Sequence, residues 1–185
     1  MPGHDAATLL PMEGGPELRG MAVFRDERGP TALCYRVRCD PEWRTTEGEI
    51  RGWSGGRQVE LLLRRDHAGR WSLDGADCPA VSGCLDLDLS FTPATNLLPL
   101  RRLGLAVGRV AEVRSAWLEW PGSVLAPLVQ RYTRRSPAEY GYEAELPGGE
   151  VFAGVLRVDP DSWVLDYAEL WQAERPPDPA HPAGR

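Results

Sequence analysis

The chain of 185 residues contains no lysine, and all 21 of its basic side chains other than histidine are arginines. Isoleucine is almost as scarce, because Ile50 is its single instance. Both biases extend along the whole chain, so the abundance of arginine says little by itself about anion binding. The formal net charge is -6, and a nucleic acid would therefore meet a repulsive field. We expect no nucleic-acid partner.

Histidine and cysteine are also few. His4 and His181 lie near the ends of the chain and His67 lies in a turn sequence. The sequence therefore offers too few histidines for a histidine-based metal site or a catalytic triad. The spacing of the four cysteines fits neither a zinc ribbon nor a redox pair. They are Cys34, Cys39, Cys78 and Cys84. No glycine-rich phosphate loop is present, and no serine or cysteine nucleophile has a plausible histidine partner. We expect no metal and no cofactor.

Long apolar runs are missing as well, since no stretch approaches the roughly 18 apolar residues of a membrane span. The N-terminal sequence MPGHDAATLLPMEGG has no basic segment and no export cleavage site. We therefore expect a cytoplasmic protein with reduced thiols. Residues 1–19 and 174–185 are rich in proline and glycine and are predicted to be mobile tails. One domain, over residues 20–173, remains between them.

Alternation of apolar and polar residues recurs along that domain and predicts about ten β-strands. The predicted strands are Met21–Asp26, Leu33–Cys39, Thr45–Trp53, Val59–Asp66, Arg70–Leu73, Leu85–Leu89, Val110–Trp120, Val124–Thr133, Tyr140–Leu146 and Val151–Val158. Short turns between them favour antiparallel neighbours. Such a sheet must close on itself or pack on a second sheet to hide its edges. The prediction is an all-β fold, a curved antiparallel sheet closing into a barrel-like structure.

One short helix is predicted after Thr95 and Asn96, either of which suits its N-cap. Arg101 and Arg102 fall in its last turn, where a positive charge is favourable against the helix dipole. Gly104 supplies a left-handed stop.

Two carboxylates in the preceding strand are candidates for chemistry. Asp86 and Asp88 alternate with leucines, which places both on one face at a separation of roughly 6 to 7 Å. That separation suits an acid and base pair, as in inverting glycosidases, if one carboxyl stays protonated near neutral pH. The other interpretation is that both carboxylates pair with Arg101 or Arg102, or simply face water.

The polar residues that follow these carboxylates are candidates for a ligand headgroup. Thr92, Thr95 and Asn96 offer hydroxyls and an amide, and a guanidinium of Arg101 or Arg102 suits a phosphate, a carboxylate or a pair of sugar hydroxyls. The same residues are also explained by turn formation and helix capping.

Aromatic residues are abundant, with seven tryptophans and five tyrosines, some of them at alternating positions such as Tyr140 and Tyr142. Aromatic side chains on a concave sheet can hold acyl chains or sugar rings, although each one alone suits an ordinary core. Gln130 and Tyr132 share one face of a predicted strand with Leu128. That face changes from apolar to polar, as an amphiphile pocket requires.

The segment DLDLSFTPATNLLPLRRLGL, residues 86–105, resembles the signature of the glycolipid-binding family of bacteria, first catalogued as a domain of unknown function. The remaining positions of the family pattern occur in order between residues 21 and 171. They are Tyr35, Trp43, Thr45, Asp66, Gly69, Arg70, Trp71, Gln130, Tyr132, Tyr142, Phe152, Val158, Asp159, Asp166, Tyr167 and Trp171.

The resemblance implies a curved or barrel-like antiparallel sheet with a hydrophobic cavity, similar to bacterial lipoprotein carriers and lipid-carrying lipoproteins. It also implies non-catalytic binding of a lipid or glycolipid-like amphiphile, which is our first hypothesis. The expected ligand-binding residues are Asp86, Asp88, Thr92, Thr95, Asn96, Arg101, Arg102, Gln130, Tyr132 and Tyr142. A hydrolase or isomerase of a sugar-bearing compound, with the two aspartates as acid and base, is the second hypothesis. A protein-binding module that uses a sheet edge is the third.

Overall fold

Two seven-stranded sheets curve into a half-barrel in the computed structural model of the protein, which describes residues 3–122 and 124–174. The first sheet contains, in spatial order, β1 (Gly3–Leu10), β2 (Glu17–Asp26), β3 (Gly29–Cys39), β4 (Thr45–Ser54), β5 (Arg57–Arg65), β6 (Trp71–Leu73) and β7 (Ala76–Asp77). The second contains β8 (Leu87–Leu89), β9 (Val110–Leu118), β10 (Leu125–Ser136), β11 (Glu139–Glu145), β12 (Val151–Val158), β13 (Val164–Tyr167) and β14 (Trp171–Gln172), again in spatial order.

Within each sheet, strands that are neighbours in the chain are also neighbours in space, and nearly all of them pair antiparallel, as the short turns predict. The exception is β8, which runs parallel to β9 because α1 and its flanking loops carry the chain back before β9 begins. All ten predicted strands are present, with ends shifted by a few residues. The predicted fold class, mostly β with a curved sheet and one short helix, is therefore confirmed.

The helix α1 (Leu97–Leu103) lies where the sequence predicts it and ends at Gly104, whose φ of 51° is left-handed. A 3-10 turn, Ala94–Asn96, leads into it, so the backbone before the helix is already helical and the side chain of Asn96 does not cap it. A second 3-10 turn spans Pro79–Val81. No helix in the described residues has the length and hydropathy needed to cross a membrane.

The N-terminal segment differs from the mobile tail that its composition predicts. Strand β1 pairs with β2 in register from Gly3 to Leu10, and Ala7 and Leu9 pack against the core. A loop rich in proline and glycine follows β1. Because the prediction of a tail used the composition of residues 1–19 as a whole, it missed the strand. Of the predicted C-terminal tail, residues 175–185 lie outside the described residues, so that expectation stays a prediction.

The core consists of two hydrophobic clusters, one on each side of β9. Ala116 and Leu118 face the larger cluster, which the first sheet forms with the segment from β8 to α1. Val113 and Trp117 face the smaller cluster on the other side, built from the inner face of the second sheet. Because β9 is buried on both faces, it fixes the position of one sheet against the other.

All four cysteines have free thiols in this structure, and their exposure varies. Cys34 is exposed, whereas Cys39 and Cys84 are buried. Burial raises the pKa of Cys39 to about 12, so its thiol is protonated at neutral pH.

Replacement of Gly20 tests the packing that joins β1 to the rest of the molecule. Gly20 lies opposite Tyr35 in the β2–β3 pair, and a Cβ at residue 20 would lie 2.2 Å from Cζ of that tyrosine. The tyrosine hydroxyl is held by Asp5 and Thr92, both at 3.0 Å, so its ring has little freedom to move aside. We expect Gly20→Ala to lower the free energy of unfolding by about 1–3 kcal/mol, measured by chemical denaturation.

Gly14→Ala is the control, because a Cβ at residue 14 would meet no atom within 4 Å. Its effect is expected to stay within about 0.5 kcal/mol. Equal stability of the two variants would show that the contact with Tyr35 does not constrain the fold.

Candidate functional site

A cavity of about 240 Å³ lies against the inner face of the second sheet. Its lining residues are Asp88, Leu89, Ser90, Thr92, Asn96, Trp117, Leu128, Tyr142, Ala144, Leu146, Phe152, Tyr167, Leu170 and Trp171. Apart from the tyrosine hydroxyls and the tryptophan indole groups, the polar side chains all come from residues 88–96, whereas the opposite walls are aromatic and aliphatic. Leu170 is 55% exposed and marks the open rim of the cavity. The cavity is therefore polar on one side and apolar on the others.

Three aromatic rings from adjacent strands form one corner of the cavity. The ring centroids of Tyr142 and Tyr167 are 5.5 Å apart with an interplanar angle of 89°, and those of Phe152 and Tyr167 are 5.8 Å apart at 84°. The centroids of Tyr142 and Phe152 lie 6.1 Å apart. Because β11, β12 and β13 pair in sequence, these side chains reach the same face of the sheet. Trp117 and Trp171 add two further aromatic walls.

Asp88 is the carboxylate that the cavity exposes. It lies in β8, and its Oδ2 accepts a hydrogen bond from Nε2 of Gln130 at 2.5 Å. Burial raises the pKa of Asp88 to about 6, and the nearby negative charge of Asp86 adds to that increase while the bond from Gln130 opposes it. This carboxyl therefore changes its charge much closer to neutral pH than an ordinary aspartate does.

A hydrogen-bond network behind the cavity holds its polar groups in place. Gln130 is buried, and its Oε1 accepts a bond from Oγ of Ser115 at 2.8 Å, which orients the amide. Its Nε2 also donates to the hydroxyl of Tyr142 at 2.9 Å. In the same strand, the hydroxyl of Tyr132 donates to Oδ1 of Asn96 at 3.0 Å. Since each of these partners is itself buried, the network restricts the conformations of the cavity floor.

Asp86 has a different environment from its neighbour. It is 1% exposed and forms a two-pronged ion pair with Arg102, whose Nε and Nη2 lie 3.0 and 2.5 Å from its two oxygens. Burial raises the pKa of Asp86, and the guanidinium opposes that shift. Neither residue lines the cavity. The two aspartates thus face different partners, an arrangement that does not favour an acid and base pair acting on one ligand.

Arg101 and Thr95 serve contacts outside the cavity. Nη2 of Arg101 donates to Asp161 at 3.1 Å, and its guanidinium lies 5.6 Å from the ring centroid of Trp43. Oγ1 of Thr95 accepts a bond from the backbone N–H of Leu89 at 3.3 Å. Among the lining residues within the described part of the chain, only Asp88 carries a formal charge.

The structure separates the ten candidate residues into three groups. Those that line the cavity are Asp88, Thr92, Asn96 and Tyr142. Those that support it from behind are Gln130 and Tyr132. Those that lie elsewhere are Asp86, Thr95, Arg101 and Arg102. The aromatic walls were missed, although Phe152, Tyr167 and Trp171 occupy positions of the family pattern and could have been found there. Ser115 gave no signal, because its role comes only from its bond to Gln130.

A larger groove of about 710 Å³ lies beside the cavity, between the edge strands β1 and β14. Residues 3–7 form one bank and residues 171–174 the other. Trp171 lines both the groove and the cavity. Asp5, on the groove side, accepts a bond from Oγ1 of Thr92 at 2.8 Å. Over residues 3–122 and 124–174, no group of three or more His, Cys, Asp or Glu side chains could hold a metal ion.

Arg101 and Arg102, which are adjacent in α1, are expected to contribute differently to stability, because only Arg102 pairs with a buried carboxylate. Arg102→Met would leave Asp86 charged and buried without its partner, and we expect a loss of about 3–5 kcal/mol in the free energy of unfolding. Arg101→Met removes a more exposed ion pair and should cost about 1 kcal/mol or less. Urea denaturation of both variants measures the difference. Similar small losses would mean that the buried ion pair contributes little.

The raised pKa of Asp88 predicts a pH-dependent stability. The folded state holds this proton more tightly than the unfolded chain, so wild-type stability falls as pH rises from about 4 to 6, and the cost remains above that window. Asp88→Asn removes the titration. We expect the stability of the variant relative to wild type to increase by about 2–3 kcal/mol between pH 4 and pH 8. A difference that does not change with pH would contradict the raised pKa.

Comparisons with known proteins agree with this architecture. The family model described as "Putative glycolipid-binding" matches residues 1–173. The crystal structure of a DUF1089 family protein from Pseudomonas aeruginosa is similar over 94% of each chain, with 36% sequence identity and a TM-score of 0.79. No protein with a curated description matches the chain. The chain belongs to the family described as putative glycolipid-binding.

Proposed function

We propose that the protein binds a lipid or glycolipid-like amphiphile in the 240 Å³ cavity and does not catalyse a reaction on it. The observation that carries this proposal is the division of one partly open cavity into a polar side and an aromatic side. Asp88, Thr92 and Asn96 supply the polar side, and rings such as those of Tyr142 and Phe152 supply the other. Such a division matches a molecule that has a headgroup and a chain.

Binding energy and orientation come from different parts of the cavity. Each methylene that the apolar walls remove from water contributes about 0.8 kcal/mol, but apolar burial does not fix orientation. The polar side can fix it, because Gln130 and Tyr132 hold the side chains of Asp88 and Asn96 before any ligand arrives. Preorganised groups lose little conformational entropy on binding.

The direction of the ligand follows from where the cavity opens. The polar side lies at β8 and the 3-10 turn, whereas Leu170 stands at the exposed rim. The headgroup is then held inside and the chain extends along Leu146 towards Leu170. The groove beside Trp171 offers a longer chain further surface.

The hydrolase or isomerase hypothesis receives less support from these contacts. It needs two carboxyls at one ligand, but Asp86 is engaged by Arg102 behind the cavity wall. Of the two aliphatic hydroxyls that line the cavity, Thr92 donates to Asp5 and Ser90 Oγ accepts a bond from the backbone N–H of Trp120 at 2.7 Å, and no histidine stands among the described lining residues to activate either.

The compartment and the partners of the protein belong to the same proposal. We place the protein in the cytoplasm, because its four cysteines remain unpaired and such thiols persist in a reducing compartment. A small amphiphile is the expected partner, and the net charge of -6 disfavours nucleic acid. A peptide added at the edge strands β1 or β14 would occupy the groove and leave the cavity free.

A cavity-filling variant tests the proposal. Ala144 lines the cavity, and Ala144→Leu places a larger side chain in it. Ala153→Leu, on the neighbouring strand β12 at an exposed position, is the matched control. Calorimetric titration uses octyl β-glucoside, octyltrimethylammonium and octyl sulfate below their micelle-forming concentrations. We expect the wild type to bind at least one of these amphiphiles, and Ala144→Leu to bind it at least about tenfold more weakly, a loss of about 1.4 kcal/mol.

The Ala153→Leu control is expected to keep wild-type affinity, with thermal unfolding recorded for every variant. Two results would overturn the proposal. One is that no octyl amphiphile binds the wild type, and the other is that both leucine variants bind as well as the wild type does.

A further inference from the structure

We infer that the inner end of the cavity selects a cationic headgroup, an ammonium group on the amphiphile, with Asp88 as its counter-ion and the surrounding aromatic rings as its walls. This inference rests on the proposed function, because it names the headgroup class for the same cavity. It follows from three independent features of the lining: its charge, its aromatic geometry and the state of its hydrogen-bond donors.

The charge of the cavity is negative and is not compensated from within. Asp88 is the one formally charged residue among the lining residues that the structure describes. The arginines nearest in sequence are turned elsewhere, since Arg102 pairs with Asp86 and Arg101 pairs with Asp161. A phosphate, sulfate or carboxylate headgroup would therefore meet repulsion, whereas a cation would supply the counter-charge that the carboxylate lacks.

The aromatic corner gives a cation a wall to lie against. The rings of Tyr142, Phe152 and Tyr167 pack against one another with centroids 5.5 to 6.1 Å apart, so a cation would lie on the cavity side of this cluster and not between the rings. A cation within about 6 Å of an aromatic face is attracted by the ring quadrupole, and quaternary ammonium ligands are bound in aromatic cages in this way. The carboxylate belongs to the same unit, because Gln130 donates to both Asp88 and Tyr142.

Some hydrogen-bond donors at the polar side are used within the protein. Nε2 of Gln130 uses its two hydrogens on Asp88 and Tyr142. Nδ2 of Asn96 uses one of its two hydrogens on the backbone oxygen of Pro93 at 3.2 Å. A sugar or an anion needs free donors around its oxygens, but a quaternary ammonium group needs none. A cation would use the two groups that the cavity offers without further donors, a carboxylate and ring faces.

Two kinds of cationic headgroup share this chemistry, a quaternary ammonium and a protonated primary amine. The test compares octyltrimethylammonium, octylammonium, octyl β-glucoside and octyl sulfate by calorimetric titration of the whole protein at pH 8. The four probes share one chain, so differences in affinity report the headgroup. We expect at least one cation to bind about tenfold or more tightly than the glucoside, and the sulfate to bind most weakly. The ratio of the affinities for octyltrimethylammonium and octylammonium shows which of the two headgroups the cavity prefers.

A pair of isosteric variants assigns the preference to one side chain. Asp88→Asn should bring the ratio of cation to glucoside affinity close to one, because it removes the charge and keeps the shape. Asp161→Asn is the control, since this exposed carboxylate pairs with Arg101 outside the cavity, and it should keep the wild-type ratio. Thermal unfolding of both variants shows whether each one is folded.

The outcomes separate this inference from the proposed function. Glucoside binding that equals or exceeds the binding of both cations overturns the cationic headgroup and leaves amphiphile binding intact. Absence of binding by all four probes overturns amphiphile binding itself. A wild-type ratio in folded Asp88→Asn overturns the role of this carboxylate as counter-ion, and if that variant does not fold, the comparison of headgroups in the wild type still decides the inference.

Discussion

The removal of two nearby aspartates from water, Asp86 just before β8 and Asp88 within it, is the constraint on which the rest of the site depends. A carboxylate that leaves water must find a cation, hydrogen-bond donors or a proton. Asp86 finds Arg102, and this ion pair ties the start of β8 to the last turn of α1. Asp88 borders the cavity and accepts a hydrogen bond from the amide of Gln130 but has no cationic partner, so burial raises its pKa. One short segment, residues 86–88, thus contains both a structural ion pair and a carboxyl that is available to a ligand.

The elements that the sequence predicts correctly are those set by local chemistry. Alternation marks strands whose two faces meet different surroundings, and Gly104 ends α1 because it adopts a left-handed backbone at little cost. Strand β1 was missed because a loop rich in proline and glycine follows it, and its pairing with β2 is a tertiary contact. The short strands β13 and β14 depend in the same way on the neighbours that hold them.

The site could be predicted from the sequence only in part, because the rest depends on how the helix is oriented and how the strands pair. Thr92 and Asn96 reach the cavity because the turn that contains them borders β8. Which arginine pairs with Asp86 could not be read from the sequence, since successive residues of a helix point about 100° apart and the orientation of α1 decides the choice. The aromatic walls come from β9 and from β11 to β14, and only strand pairing brings their rings together.

The most direct test of the account is a crystal structure of the protein with octyltrimethylammonium that carries bromine at the end of its chain. The anomalous signal of bromine locates the chain end independently of the headgroup. The account predicts the headgroup in contact with Asp88 and the bromine towards Leu170 at the rim of the cavity. Bromine beside Asp88, or a ligand confined to the groove between β1 and β14, would contradict it.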